Sequence, residues 1–166
     1  IELTRSNAKD KVIELQNGST IRMASVSQAD SAVGRSYDLI LFDECALDEK
    51  GKDAFNIALR PTLDKTNSKC VFISTPRGKN WFYDFYQRGF SDEFPTWCSI
   101  HSDWHANPRA QEADISEAKL SMSRAEFNQE YLASFVALQG QIYEFDKEDN
   151  VKKIDISKID VQDVII

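Results

Sequence analysis

Residues 39–44, Leu-Ile-Leu-Phe-Asp-Glu, place two acids directly after four apolar residues. A continuous apolar run of that length reads as a strand buried on both faces of a parallel sheet. Such a strand delivers its last residues rigidly to the carboxyl edge of the sheet, where open α/β proteins bind ligands. Asp43 at that edge can help hold Mg²⁺, largely through water, because magnesium gives up its hydration shell reluctantly. Glu44, one residue on, can polarise a water for attack on the γ-phosphate of ATP. This apolar-acid string is the Walker B pattern; taken alone, it is equally a strand that ends in two solvated acids.

A second run, Cys70-Val-Phe-Ile-Ser-Thr-Pro76, ends in the hydroxyls of Ser74 and Thr75. In helicase-like and motor ATPases the strand beside Walker B carries such a polar tip, which can touch the γ-phosphate or its water and relay the nucleotide state. The plain alternative is a strand entering a turn with proline at its start. Other candidates read more simply as structure. His101, Asp103 and His105 lack a fourth ligand and a helical context, so a loop explains them better than a metal site. The aromatic run Trp81–Tyr86 could stack on bases, but Phe82, Phe85 and Tyr86 at helical spacing fit packing against a sheet. Arg77 and Lys79 fit either phosphate contacts or a solvated turn.

The elements that position these residues are legible in outline. Residues 11–15 and 19–24 flank Asn17-Gly18 and read as a β-hairpin. Residues 27–36 read as a loop or short helix, 52–60 as a helix ended by Pro61, and 81–88 as a helix capped by Asn80 with Gly89 beyond it. Residues 95–101 suggest a further strand. Ser123 and Glu126 form a capping box that opens a helix to about residue 134. Short strand-like pieces follow near 151–156 and 161–166. Alternating strands and helices predict an α/β fold with a mostly parallel sheet flanked by helices.

With 166 residues, 42% of them apolar and 28% charged, the chain suits one domain with a real core. No apolar run nears the roughly 18 residues of a membrane span. The first residues lack an initiator Met and a signal-peptide core, so the chain is expected to start inside a longer reading frame. Cys45, Cys70 and Cys98 form no CxxC pair and are expected to be reduced and largely buried. A net charge of −7 argues against a surface that is basic throughout, while leaving room for a local basic patch.

The order of these motifs resembles the terminase large-subunit family of viral DNA-packaging motors, in the C-terminal half of its P-loop (ASCE-type) ATPase core. The resemblance rests on Asn17-Gly18-Ser19, Ser31-Ala-Val-Gly-Arg-Ser36, Leu39–Glu44 and Ser74-Thr-Pro-Arg-Gly-Lys-Asn-Trp-Phe-Tyr83. It continues through Asn107-Pro108, Phe127–Tyr131, Phe135 and Gly140–Tyr143, covering residues 11–145. It implies that Asp43 is the metal-site acid, Glu44 the catalytic glutamate, and Ser74 and Thr75 the coupling residues. It also implies that Arg35 reaches a neighbouring subunit's nucleotide, although Arg35 could simply pair with Asp30 or Asp38. Residues 1–139 would then be part of the ATPase domain, and 140–166 the linker and first strand toward a nuclease domain. The implied cofactors are ATP and Mg²⁺. The implied partners are double-stranded DNA, a portal protein, a small terminase subunit and sister copies in a ring, in the cytoplasm of a bacterial host.

The chain also departs from the family pattern. No GxxxxGK[ST] loop is present, since Gly51-Lys52 and Gly78-Lys79 lack its other residues, and the nuclease carboxylates are missing. The isolated segment is therefore expected neither to bind ATP tightly nor to turn it over, and a sheet lacking its Walker A strand is expected to associate. Two other functions fit parts of the pattern. A DEAD-box-like helicase would share Asp43-Glu44-Cys45-Ala46 and Ser74-Thr75, but not the helix at 127–131. A non-catalytic assembly module would make Glu44→Gln silent.

Overall fold

A computed structural model describes residues 3–7, 9 and 11–136. The expectations for 140–166, namely the linker and the terminal strands, lie outside the described residues. Three antiparallel strands come first, β1 (Leu3–Asn7), β2 (Val12–Leu15) and β3 (Thr20–Arg22), in the order β1-β2-β3. The Asn-Gly hairpin forms, with one loop residue more than a two-residue turn. Gly18 donates its N–H to the Leu15 carbonyl at 3.0 Å, and Leu15 donates to Ser19 at 2.9 Å. Gly18 sits at φ +82°, the left-handed position that follows a type I turn in a three-residue hairpin loop. The β1 strand has no signal of its own, because Thr4-Arg5-Ser6-Asn7 shows no apolar alternation. Its backbone pairing to β2 makes it a strand, with Arg5 opposite Glu14 and Asn7 opposite Val12.

After a 3₁₀ segment (Val26–Ala32), β4 (Leu39–Phe42) and β5 (Lys69–Phe72) pair in parallel, Leu39 opposite Lys69 and Phe42 opposite Phe72. The five described strands thus divide into one antiparallel sheet and one parallel pair. The connection between the parallel strands is helical, from α1 (Gly51–Asp53) through a π-helical stretch (Ala54–Leu59) to a 3₁₀ turn (Arg60–Thr62). Pro61 lacks the N–H that would continue the ladder. The burial expected for β4 and β5 on both faces is not what the structure shows. Alternation sends Phe42 and Phe72 inward, while Leu39, Leu41, Val71 and Ile73 are between 41% and 62% exposed. The inner face is packed and the other is bare among the described residues.

The core is aromatic. Phe42, Cys45, Phe55, Trp81 and Phe85 are buried together, with Phe72 and Trp97 packed against them. Phe72 meets Phe55 edge-on at 4.8 Å and Phe85 at 5.3 Å, the geometry favoured by the ring quadrupole. The Arg88 guanidinium lies 4.2 Å from the Phe85 ring centroid and 4.8 Å from that of Trp97. Trp81 and Phe85 belong to α2 (Trp81–Arg88), whose expected bounds and Asn80 cap are both found. The aromatic run therefore packs: Phe82, Tyr83 and Tyr86 all meet Phe135. Residues 95–101 form no strand. Ser99 instead bonds the Tyr86 carbonyl at 2.7 Å, beside Gly89. Helix α3 (Glu112–Ser121) carries no apolar stripe and lies outside the sequence expectations. Helix α4 (Arg124–Glu130) opens on the Ser123–Glu126 capping box, and the Ser123 N–H keeps the Glu126 carboxyl below its ordinary range. It stops at Glu130, short of the expected 134.

Candidate active site at the parallel strand edge

Past Phe42 the ladder continues without regular strand geometry. Ile73 donates to Phe42 at 2.9 Å and Cys45 donates to Ile73 at 3.2 Å, so Asp43–Cys45 and Ile73–Ser74 stay side by side. Glu44 takes the left-handed conformation, φ +48° and ψ +33°, unusual for a residue with a Cβ. Its N–H bonds the Asp43 Oδ1 at 3.1 Å. Both acids are exposed. The chain then dives inward, and burial pushes the Cys45 thiol up to about 12, as it does Cys70.

The turn after Glu44 is gripped from two sides. Ser74 Oγ accepts the Ala46 N–H at 3.1 Å, and Asn80 Nδ2 donates to the Ala46 carbonyl at 2.9 Å. Asn80 also accepts the Phe82 N–H at 3.0 Å, capping α2. Trp81 Nε1 donates to the Asp48 carbonyl at 2.9 Å. The tip of β5 and the start of α2 therefore both lock to residue 46, one through its N–H and the other through its carbonyl. The sequence marks Asn80 and Trp81 as helix residues only; their contacts to this turn, some 34 positions away for Asn80, leave no local signal.

Glu44, Ser74 and Thr75 line one open cavity of about 350 Å³ together with Ser102, Asp103, Trp104, Glu130 and Tyr131. Glu44, Ser74 and Thr75 are thus brought together, whereas Asp43, exposed beside Glu44, does not line the cavity. Asp103 lies below its ordinary pKa because His105 bonds it, Nδ1 to Oδ1, at 3.0 Å. His101 instead bonds the Leu132 carbonyl at 3.0 Å. The three do not gather as a metal cluster among the described residues. Arg77 is paired with Glu130, and Lys79 lies over the Tyr83 ring at 5.4 Å.

Arg35 is placed elsewhere. It lines a different cavity of about 520 Å³, which shares no residue with the first. Its Nε donates to the Ser31 carbonyl at 3.3 Å. The alternative pairing with Asp38 is not seen, because Asp38 holds Lys65 at 2.9 Å, and no ion pair joins Arg35 to Asp30. The three thiols are free, yet Cys98 is exposed, correcting the expectation that all are largely buried.

The sequence model of the family described as "Terminase large subunit, T4likevirus-type, N-terminal" matches residues 1–150. The chain belongs to the terminase large-subunit family. The match is to the N-terminal part of that subunit, which replaces the narrower placement in a C-terminal half. The chain is 56% identical, over 155 residues, to the terminase large subunit of Escherichia phage T5, covering 93% of this chain and 35% of that protein. It is 29% identical over 139 residues to the terminase large subunit of Thermus phage G20c, covering 75% of this chain and 28% of that one. It thus spans about a third of the length of these large subunits. The ATPase domain of the Thermus phage P74-26 large terminase superposes with a TM-score of 0.59 at 24% identity, covering 81% of this chain and 63% of that chain. The large terminase of another thermophilic bacteriophage gives 0.65 at 20% identity, covering 89% of this chain and 37% of that one. The fold is that of the large terminase ATPase domains, a P-loop NTPase fold. Among the described residues, no helix is long and apolar enough to cross a membrane.

Proposed function

We propose that this terminase segment carries the hydrolytic and coupling half of an ATP-driven motor that moves double-stranded viral DNA into a procapsid. The observation that supports it best is the convergence of Glu44, Ser74 and Thr75 on one cavity at the carboxyl edge of a parallel strand pair. The phosphate-binding loop would lie upstream and a nuclease domain downstream of residues 1–139 and 140–166 respectively. A portal protein, a small subunit and sister copies in a ring would be the partners, in the cytoplasm of the bacterial host.

The donor set fits magnesium. Asp43 is a single exposed carboxylate with hydroxyls on the next strand, and Mg²⁺ is commonly held by one or two carboxylates plus phosphates and water. Bound with ATP, Mg²⁺ supplies charge neutralisation at the β- and γ-phosphates. Asp43 spends one oxygen on the Glu44 N–H, and its second is available toward the cation. Glu44, turned by its left-handed backbone, accepts the proton of the attacking water. Ser74 has one hydroxyl proton, given to the Thr75 carbonyl at 3.0 Å. Donating it to a γ-phosphate oxygen means releasing Thr75, and loss of the phosphate restores the first bond. Ser74 keeps its grip on the Ala46 N–H through a lone pair in either state, so the strand tip can signal without freeing Glu44. Arg35, in a separate cavity, would serve the nucleotide of a neighbouring copy.

The test is Glu44→Gln in the intact large subunit. Steady-state ATP hydrolysis should fall by 10²-fold or more, roughly the worth of a positioned general base, with nucleotide binding retained. Unchanged hydrolysis would favour the assembly-module reading.

A further inference from the structure

The larger cavity lies between the antiparallel sheet and the 3₁₀ segment, and its lining is unlike the rest of this acidic chain. Arg5, Lys9, Lys11, Arg22 and Arg35 face one carboxylate, Glu14. The sheet register explains the grouping. Arg5 pairs with Glu14, and Asn7 pairs with Val12, which pairs in turn with Arg22, so these side chains share one sheet face. Positions 5, 7, 9 and 11 all line the cavity, every second residue of the first strand and the turn that follows it. The four cations on this wall, Arg5, Lys9, Lys11 and Arg22, are exposed, and no ion pair ties any of them to a described carboxylate. No aromatic ring lines the cavity.

We propose that this sheet wall grips the phosphate backbone of double-stranded DNA. The inference rests on the translocation reading above and names the surface that would hold the track. Alternate residues on a strand stand about 7 Å apart, two repeats of the roughly 3.4 Å rise along the helix axis per phosphate of one DNA strand. Without a stacking ring the wall has no means of holding unpaired bases, as single-strand sites do. Exposed cations that reach only phosphates confer affinity without sequence preference, which suits a translocating motor. The nucleotide-facing residues Glu44, Ser74 and Thr75 lie in the other cavity, so DNA contact and hydrolysis use different surfaces. Arg35, on the far wall, is left to the neighbouring nucleotide.

The experiment measures binding of a short random-sequence DNA duplex to the intact large subunit by fluorescence anisotropy across a salt series. Wild type is compared with Arg5→Ala, Arg22→Ala, the double variant, and Lys119→Ala on α3 as a control. DNA-independent ATP hydrolysis and thermal unfolding are read on the same samples. Each cradle substitution is expected to weaken binding for all sequences and to lower the slope of log K against log salt by about one, with hydrolysis and melting unchanged. Slopes that match the Lys119 control would overturn the proposal. So would a loss of hydrolysis with DNA binding intact, which would assign the cradle to a neighbour's nucleotide. A wild type that binds DNA with the expected slope but hydrolyses no ATP would instead sink the motor reading and leave the DNA surface standing.

Discussion

Glu44 offers a way to separate function from stability at one residue. Its left-handed backbone costs a residue with a Cβ about 1–2 kcal/mol relative to glycine. Glycine at 44 removes that strain but enters folding from a freer unfolded chain, which costs back about 0.4–1 kcal/mol. The net expectation for Glu44→Gly is a gain of about 0.5–1 kcal/mol, since the side chain is exposed and the residue's hydrogen bonds run through its backbone N–H and carbonyl, which glycine keeps. Glu44→Gln keeps the Cβ and the strain, so its stability should match wild type within about 0.5 kcal/mol. Both variants lose the carboxylate proposed as the general base. Urea denaturation of the ATPase domain containing this segment, alongside an ATP hydrolysis assay, reads the two effects together. The expected pattern is two inactive proteins, of which the glycine variant is the more stable. A glycine variant less stable than the glutamine variant would refute the reasoning: Glu44 would then be making a structural contact, and its conformation would not be strain held for chemistry.

Two more outcomes follow from the contacts around the site. Asn80→Ala removes the α2 cap, worth about 1 kcal/mol, and leaves the half-buried Ala46 carbonyl without its donor, about another 1–3 kcal/mol, so the urea midpoint should drop. Asn80→Asp, which keeps the cap acceptor and loses the donor, should fall between Asn80→Ala and wild type. The buried thiols set a pH limit: folded Cys45 and Cys70 hold their protons to about 12, whereas unfolded cysteine ionises near 9. The unfolded state therefore binds fewer protons above pH 9, and stability should decline as pH rises from about 9 toward 12. A flat stability profile over that range, measured by denaturant melts, would contradict the burial of these thiols.

The sequence carries the parts of this fold that rest on local chemistry. The Asn80 cap, the Ser123 capping box and the Asn17-Gly18 turn are each written in a few adjacent residues, and all three form. The two apolar runs ending at Glu44 and Thr75 mark the strand tips and hence the site. What escapes reading depends on partners distant in sequence. β1 is a strand only because β2 pairs with it, and α3 lacks an apolar stripe because it is mostly exposed. The bare face of β4 and β5 is illegible because an apolar run looks the same whether one face is covered or two. Arg35 stands close to the Leu39–Glu44 run in sequence, yet the turn at Gly34 (φ +79°) precedes a placement in the other cavity.

The double grip on residue 46 has an evolutionary corollary. Ser74 and Asn80 hold that residue by its N–H and carbonyl, groups that every amino acid except proline possesses in full. The position itself need only stay small, because it is 4% exposed. Sequence drift there among alanine, glycine and serine leaves the grip intact, while the cost of change falls on positions 74 and 80. The turn that carries Glu44 is thus specified by residues some 30 positions downstream of it, and relatives can vary within the turn while keeping its shape.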